Sequence, residues 1–244
     1  MSEMKQLSTA QLEAFDTEYV RGAGWDAVTT AIDRDFPSDE FTFMDIGGGN
    51  GVFTDRILER YPRSRALLLD NAAGLLSINK PHPRKTIIDD TAANLASHLS
   101  DNTVDLVFIN WVLHHLVSPT WRGTRGNVTT LLGALASDAN VRRVCVFENS
   151  YNGLVFNNLP GRLIFESTSL KWLSGFTRRM GANTAGVGVA FRSRRAWERL
   201  FDCVFRPGST VATDFEPWPN PLLHRLFLHS GRVHVTMFWI TVKR

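Results

Sequence analysis

A cluster of glycines between a short apolar run and an amphipathic stretch is the feature that most constrains the fold. Residues 43–55 read FMDIGGGNGVFTD, with Gly47, Gly49 and Gly51 in the turn. Glycine adopts left-handed backbone conformations at little cost and lets a ligand lie against bare main chain. A helix that begins just beyond the turn offers unpaired N–H groups. The stretch therefore predicts a strand, a ligand-binding turn and a helix.

Short apolar runs alternate with helical patterns on both sides of this turn. The runs are 41–46, 66–69, 85–88, 104–109 and 141–147, and the helical patterns are 52–61, 72–78, 92–99 and 119–138. This alternation is typical of a parallel sheet covered by helices on both faces. The runs are almost continuously apolar, as strands buried on both sides should be. We predict an α/β fold with a doubly wound, mostly parallel sheet.

The remaining segments are expected to elaborate this core within one domain of 244 residues. Residues 1–40 predict an N-terminal helical cap, and residues 41–150 form the ligand-binding core. Residues 150–192 predict an inserted helical region over one edge of the sheet. Residues 193–244 predict a helix capped by Ser193 and two strands, at about 204–213 and 232–242.

Composition excludes several classes of protein. Two cysteines, Cys145 and Cys203, are too few for a disulfide framework or a metal cluster, and predict reduced, buried thiols in a cytoplasmic protein. No apolar run approaches the roughly 18 residues of a membrane span. A net charge of +3 is weak evidence for nucleic acid. The densest basic cluster is expected to be a polar outer helix face; it consists of Arg192, Arg194, Arg195 and Arg199. The oligomeric state is left open.

Acidic residues at the ends of the runs indicate which ligand the turn suits. Asp70 ends the second run, and 70 − 51 places it nineteen residues after Gly51. A carboxylate there can accept both ribose hydroxyls of a nucleoside. The dinucleotide fingerprint G-x-G-x-x-G fails in both frames, because Val52 or Thr54 occupies its last position. Asp45 would repel a pyrophosphate, so the turn suits a positively charged ligand.

The segment D-I-G-G-G-N-G at 45–51 resembles motif I of the class I S-adenosylmethionine-dependent methyltransferases. The resemblance covers residues 41–150 well and the rest of the chain loosely. It implies a Rossmann-like sheet of seven strands with the last strand inserted antiparallel. It also implies S-adenosyl-L-methionine as the cofactor and S-adenosyl-L-homocysteine as the product.

The resemblance assigns a role to each strand end. Asp70 would bind the ribose hydroxyls, an acid in the segment IIDDT would accept the adenine amino group, and the main chain near Asn110 would meet the methionine part. Asp89 and Asp90 both remain candidates for the adenine, with Asp90 preferred because it directly precedes a helical register. The predicted cofactor-binding residues are Asp45, Gly47, Gly49, Gly51, Asp70, Asn71, Asp90, Thr91 and Asn110.

Catalytic candidates follow the fourth strand and end the fifth. Imidazole suits proton transfer near neutral pH, so His115, beside His114, is a candidate base, although one histidine of such a pair can simply pack under a helix. Glu148 either anchors an amine of the substrate or only finishes its strand. No metal is expected. We predict methylation of a small-molecule acceptor in natural-product metabolism. The alternatives are an RNA or protein methyltransferase and a catalytically silent accessory subunit.

Overall fold

The strands and helices follow the predicted alternation. The computed structural model describes residues 20–170, 186–219 and 222–242, so the helix predicted before residue 20 lies outside the described residues. The strands are β1 (Thr42–Ile46), β2 (Arg65–Asp70), β3 (Lys85–Asp89), β4 (Leu106–Asn110), β5 (Arg143–Gly153), β6 (Thr210–Pro217) and β7 (Ser230–Thr241). The helices are α1 (Ala23–Asp35), α2 (Val52–Arg60), α3 (Ala73–Ser77), α4 (Leu95–Ser100), α5 (Trp121–Ser137), α6 (Leu159–Ser169), α7 (Arg194–Val204) and α8 (Leu222–Phe227). Short 3₁₀ turns occupy Ala92–Asn94 and Leu113–His115.

The seven strands form one sheet in the order β3-β2-β1-β4-β5-β7-β6. Strands β1 to β5 pair in parallel, and β7 is antiparallel to both β5 and β6. The doubly wound sheet and its antiparallel last strand are therefore confirmed. The order reverses at β1, which has β2 on one side and β4 on the other. In open α/β sheets, ligands bind at the carboxyl ends of the strands at such a switch point.

Both faces of the sheet are buried under helices. On one face Phe43 and Phe108 pack with Ile32 of α1 and Ile57 of α2. On the other face, Met44 belongs to a second core with residues of α4, α5 and α7. Neighbouring residues of β1 thus point into different cores, which explains why the predicted runs are apolar without alternation.

Helix α1 covers the sheet face that α2 also covers. Val28, Ala31 and Ile32 are buried at helical spacing. The helix ends at Asp35, two residues before Pro37, since proline disfavours helical backbone in the residue before it. The described part of the predicted cap is therefore a packing helix of the sheet.

The two C-terminal strands differ in how well sequence predicted them. Strand β7 alternates as expected, with Met237 and Trp239 in one core and Phe238 and Ile240 in the other. The strand predicted at 204–213 is wrong in its boundaries, because α7 continues to Val204 and β6 begins at Thr210. Trp197, Leu200, Phe201 and Val204 keep a helical spacing and pack into one core, which extends the helix.

Other expectations for the second half of the chain also change. The first residues of the predicted insertion, 150–153, continue β5, and α6 follows. Ser193 caps α7 as predicted, its Oγ accepting from the Ala196 N–H at 3.3 Å. Cys145 is buried, but Cys203 is exposed, contrary to expectation, because it lies on the outer face of α7.

The basic cluster does not form one polar face. Arg195 and Arg199 are exposed, but Arg192 is 4% exposed and precedes the helix. Within the described ranges, no helix is long and apolar enough to cross a membrane.

Candidate functional site

The glycine turn lies at the carboxyl end of β1, at the centre of the sheet. Gly47, Gly49 and Gly51 have φ angles of 74°, 50° and 77°. These left-handed conformations are accessible to glycine and strained for most other residues. The Gly47 N–H donates to the Leu69 carbonyl at 2.7 Å, which ties the turn to β2, and α2 begins immediately after Gly51.

Asp45 lies beneath the turn and supports it. The residue is 1% exposed, and its Oδ2 accepts a hydrogen bond from Thr54 Oγ1 at 2.6 Å. This bond joins the end of β1 to the first turn of α2. A carboxylate near a helix N-terminus also interacts favourably with the helix dipole. Sequence placed Asp45 in the cofactor site, and the structure puts it directly under the residues expected to form that site.

Asp70, at the end of β2, faces the glycine turn. Its Oδ2 accepts from the Gly49 N–H at 2.9 Å, and its Oδ1 accepts from the Ala72 N–H at 2.7 Å. Asp70 is half-buried, and the neighbouring Asn71 is exposed. Because each carboxylate oxygen accepts more than one hydrogen bond, Asp70 keeps acceptor capacity for hydroxyl groups. The structure thus places the Asp70 carboxylate against the glycine turn, and its role towards ribose stays a prediction.

Asp89 and Asp90 end β3 beside Asp70. Asp89 is exposed and pairs with Asp70 in the sheet register. The Asp90 carboxylate lies 2.8 Å from His98 Nε2 and accepts from the N–H of Thr91 at 2.7 Å. Hydrogen bonding to His98, followed by that to Thr91, lowers the pKa of Asp90 below its usual value. Asp90 is therefore held as an ionised acceptor by His98 of α4 and by the Thr91 N–H.

Asn110 and Trp111 mark the end of β4. The Asn110 Oδ1 atom is enclosed and accepts no hydrogen bond from the described residues. Trp111 has a φ of 55°, which is unusual for a bulky residue. Its N–H donates to the Phe147 carbonyl at 2.8 Å, and its Nε1 donates to Asn149 Oδ1 at 3.2 Å. Sequence reasoning did not single out Trp111, because a left-handed conformation imposed by tertiary bonds leaves no local signal.

The structure brings Glu148 to His114. Glu148 Oε2 lies 2.6 Å from His114 Nδ1, and Oε1 accepts from the His114 backbone N–H at 3.3 Å. Both residues are buried. No described residue provides a hydrogen-bond partner for the other ring nitrogen of His114, Nε2. The two residues form a dyad of the kind that positions an imidazole for proton transfer.

His115 is placed differently. Its ring centroid lies 4.1 Å from that of His114, and its Nδ1 has no contact with solvent. Burial, followed by the charge of His114, holds the pKa of His115 well below its ordinary value. His115 is therefore poorly suited to carry a proton in the folded protein.

The depressed pKa of His115 predicts that acid destabilises the fold. In the unfolded chain His115 takes up a proton as the pH falls below about 6.5, whereas in the folded chain it stays neutral, so stability present above that pH is lost below it. Below about pH 6.5, we expect the free energy of unfolding of His115→Gln to fall less steeply than that of the wild type, by up to about 1.4 kcal/mol for each pH unit. Urea unfolding of both proteins at pH 7.5 and pH 5.5 measures the difference. An equal loss in the two proteins would contradict the prediction.

Comparison with known proteins bears on the same region. Residues 44–128 match a family model described as a methyltransferase domain. No curated protein sequence matches the chain. Among solved structures, the plantazolicin methyltransferase BpumL, in complex with a monoazolic desmethylPZN analogue and SAH, is 14% identical with a TM-score of 0.59, over 96% of this chain and 89% of BpumL.

Two further solved structures are longer than this chain. LepI in complex with SAM is 14% identical with a TM-score of 0.53, over 96% of this chain and 50% of LepI. An O-methyltransferase family protein from Burkholderia thailandensis is 11% identical with a TM-score of 0.50, over 91% of this chain and 57% of that protein. The chain thus spans only about half the length of these two proteins, and identities this low show a shared fold.

The matched segment runs from the middle of β1 to the middle of α5. It contains the glycine turn, the acids at the ends of β2 and β3, and the loop that follows β4. The sheet built around this segment has a doubly wound strand order, and the glycine turn lies at the switch point of the sheet. The family match and the sheet therefore agree: residues 44–128 are similar to a methyltransferase domain, and the sheet around them has the fold of class I S-adenosylmethionine-dependent methyltransferases.

Proposed function

We propose that the chain transfers a methyl group from S-adenosylmethionine to a small-molecule acceptor of natural-product metabolism. The observation that carries this proposal is the hydrogen bond between Asp70 Oδ2 and the Gly49 N–H, 2.9 Å long. It makes the acid and the bare main chain of the turn one rigid unit. A rigid unit binds a nucleoside at a lower entropic cost than separate flexible groups do.

The residues at the switch point fit the proposed cofactor. Asp70 offers acceptor capacity for ribose hydroxyls, and the half-buried Asp90 offers it for an amino group. The enclosed Oδ1 of Asn110 needs a donor, which the ammonium of an amino acid provides. Thr91, Asn71 and the turn glycines complete the proposed site through their main chain. The bound cofactor supplies a methyl group already activated by its sulfonium, so the protein mainly aligns the acceptor and excludes water.

We propose His114, and not His115, as the base that accepts a proton from the acceptor. Glu148 at Nδ1 favours the tautomer with the proton on that nitrogen, which leaves the lone pair on Nε2. When Nε2 takes up a proton, the buried Glu148 carboxylate stabilises the imidazolium. Glu148 is thus a positioning residue in this proposal.

Aromatic side chains next to this dyad support an acceptor with an apolar ring system. Phe191 lies 4.7 Å from the His114 ring and stacks on Tyr151 at 4.5 Å between centroids. Burial raises the pKa of Tyr151 above its usual value, so the phenol stays neutral. BpumL, a methyltransferase of similar fold, was crystallised with an analogue of a natural product. The two free cysteines keep the cytoplasm as the proposed location.

Calorimetry with S-adenosylhomocysteine tests the cofactor site. Asp70→Ala is expected to weaken binding by about 1–3 kcal/mol, because it removes charge-assisted hydrogen bonds. Asp101→Ala, which removes an exposed acid after α4, is the matched control and should bind normally. Unchanged affinity in Asp70→Ala would remove the basis of the ribose assignment.

An acceptor screen then distinguishes the remaining functions. Wild-type protein is incubated with S-adenosylmethionine and a panel of small molecules, peptides and RNA, and S-adenosylhomocysteine formation is measured. Turnover with small molecules supports the proposal. Normal cofactor binding without turnover on any of them indicates an accessory subunit, and turnover with RNA or peptides alone indicates the corresponding macromolecular methyltransferase.

A further inference from the structure

Arg192 is a buried cation whose hydrogen-bonding groups are not satisfied. The residue is 4% exposed, and its Nε and Nη2 atoms are enclosed without a hydrogen-bond partner among the residues described. Leaving a charged group buried and unpaired costs several kcal/mol. An unsatisfied group of this kind therefore calls for an explanation in terms of what it binds.

Two tryptophans hold the Arg192 guanidinium in place. Its Cζ atom lies 4.8 Å from the ring centroid of Trp121 and 5.4 Å from that of Trp197. Cation–π contacts stabilise the positive charge but leave the N–H groups without acceptors. Trp197 Nε1 is a third enclosed donor that lacks an acceptor in the described part of the chain. Every unsatisfied atom of this group, defined as Arg192 and Trp197, is a donor, and the guanidinium is positively charged, so the ligand that matches both is an anion.

The charges around Arg192 compensate its own charge only in part. Glu148 is the nearby acid, and its carboxylate is already bound to His114. Arg125 adds a second positive charge nearby. Burial, followed by Arg125, lowers the pKa of Arg192 to about 10, so the guanidinium still carries its charge at neutral pH.

The backbone places Arg192 beside the proposed base. The Ala190 N–H donates to the His114 carbonyl at 2.9 Å, and the Arg192 carbonyl accepts from the Tyr151 N–H at 3.0 Å. Arg192 also forms a β-bridge with Ser150, near the end of β5. The segment 190–192 thus runs between the turn that carries His114 and the second half of β5.

The positions of Nε and Nη2 on one edge of the Arg192 guanidinium indicate which kind of anion it binds. Within this protein, Arg34 uses its Nε and Nη2 atoms to donate to the two carboxylate oxygens of Asp35, at 2.7 Å and 3.0 Å. The same pair of atoms is unsatisfied in Arg192. We propose that Arg192 binds a carboxylate group of the acceptor through Nε and Nη2 and thereby selects acidic acceptors. This inference rests on the proposed function and names the substrate class of the same site.

The first test uses benzoate and benzamide as matched probes, with S-adenosylhomocysteine present. The Arg192 Nε–H resonance is assigned in ¹⁵N–¹H spectra by its absence from Arg192→Lys and Arg192→Met. We expect benzoate to shift this resonance in a saturable way and benzamide to leave it in place. No shift with benzoate, or an equal shift with benzamide, would overturn the inference.

Variants separate binding from a structural role. Arg192→Met removes the N–H donors but keeps a long, unbranched side chain that can pack against the two tryptophans. We expect about 10- to 150-fold weaker benzoate binding by calorimetry. Its melting temperature should stay the same or rise, because an unpaired buried charge is removed. Arg192→Lys keeps the charge but not the bidentate edge, so it too should bind benzoate weakly. Full benzoate affinity in either variant would show that Arg192 only supports the fold.

Arg162→Met is the matched control. Arg162 also stacks on Trp121, at 5.7 Å, but it is exposed and its Nε donates to Glu166 Oε1 at 2.7 Å. This variant should bind benzoate like the wild type. In all proteins S-adenosylhomocysteine affinity is measured separately. If the wild-type protein does not bind S-adenosylhomocysteine, the proposed function is refuted. If only the Arg192 variants fail to bind it, the guanidinium belongs to the cofactor site, and the inference that Arg192 binds the acceptor is refuted.

Discussion

Gly49→Val abolishes binding of S-adenosylmethionine and S-adenosylhomocysteine in calorimetry, if the glycine turn is the cofactor cradle. Gly49 has a φ of 50°, which a β-branched residue adopts only with strain. A Cβ atom at this position would lie 3.0 Å from Leu75 Cδ1 and 3.8 Å from Asp70 Oδ2. The valine would therefore crowd Leu75, and its methyl groups would fill the space beside Asp70. Measurable affinity within tenfold of the wild type would refute the cradle.

Gly133→Ala is the control that replaces a glycine outside the turn. Gly133 lies inside α5, and a Cβ atom there would meet nothing within 4 Å. Alanine is favoured over glycine in a helix by roughly 0.5–1 kcal/mol, so the variant should be slightly more stable. It should also bind the cofactor normally. Thermal unfolding of Gly49→Val alongside this control shows whether the loss of binding follows from a loss of fold.

His114→Ala is expected to lower kcat by about 10²- to 10⁴-fold on the acceptor found in the screen, as loss of a general base does. Affinity for S-adenosylhomocysteine should change little, because the dyad lies past the end of β4 and not at the glycine turn. The measurement is steady-state kinetics with kcat and KM determined separately. A kcat within a few-fold of the wild type would show that the acceptor gives up its proton without His114.

Glu148→Gln tests the same dyad without removing the imidazole. The amide keeps the size of the side chain but removes the carboxylate that positions the His114 ring, so kcat should fall. This variant also serves where His114→Ala fails to fold, since alanine would leave the buried Glu148 carboxylate unpaired. His82→Asn, at a histidine in the loop before β3, is the matched control and should have wild-type kinetics.

Much of the fold was predictable because its signals are local. The glycine turn, the acid nineteen residues beyond it and the near-continuous apolar runs each depend on a few neighbouring residues. The rule that ligands bind at the carboxyl ends of parallel strands places the turn, Asp70 and Asp90 at one edge of the sheet from the sequence alone. The exception is β6, whose start was misplaced because Val204 and Phe205 suit a strand or the end of a helix equally well.

The choice between the two histidines was not predictable from the same signals. His114 and His115 are neighbours with the same chemistry. Glu148 lies 34 residues from His114 along the chain, and only the pairing of β4 with β5 brings them together. The basic cluster was misjudged for a related reason. Its composition indicates a polar helix face, but Arg192 precedes α7 and lies between tryptophans of two different helices.

The sequence by itself determined the class of fold, the position of the turn and the acids around it. The apolar periodicity of a strand or helix and the backbone freedom of glycine depend only on residues that are near each other in the chain. The tertiary structure alone decided which polar groups find partners. It bound Glu148 to His114 and enclosed Nε and Nη2 of Arg192 without a hydrogen-bond partner in the described part of the chain, because burial and hydrogen bonding depend on which distant segments pack together.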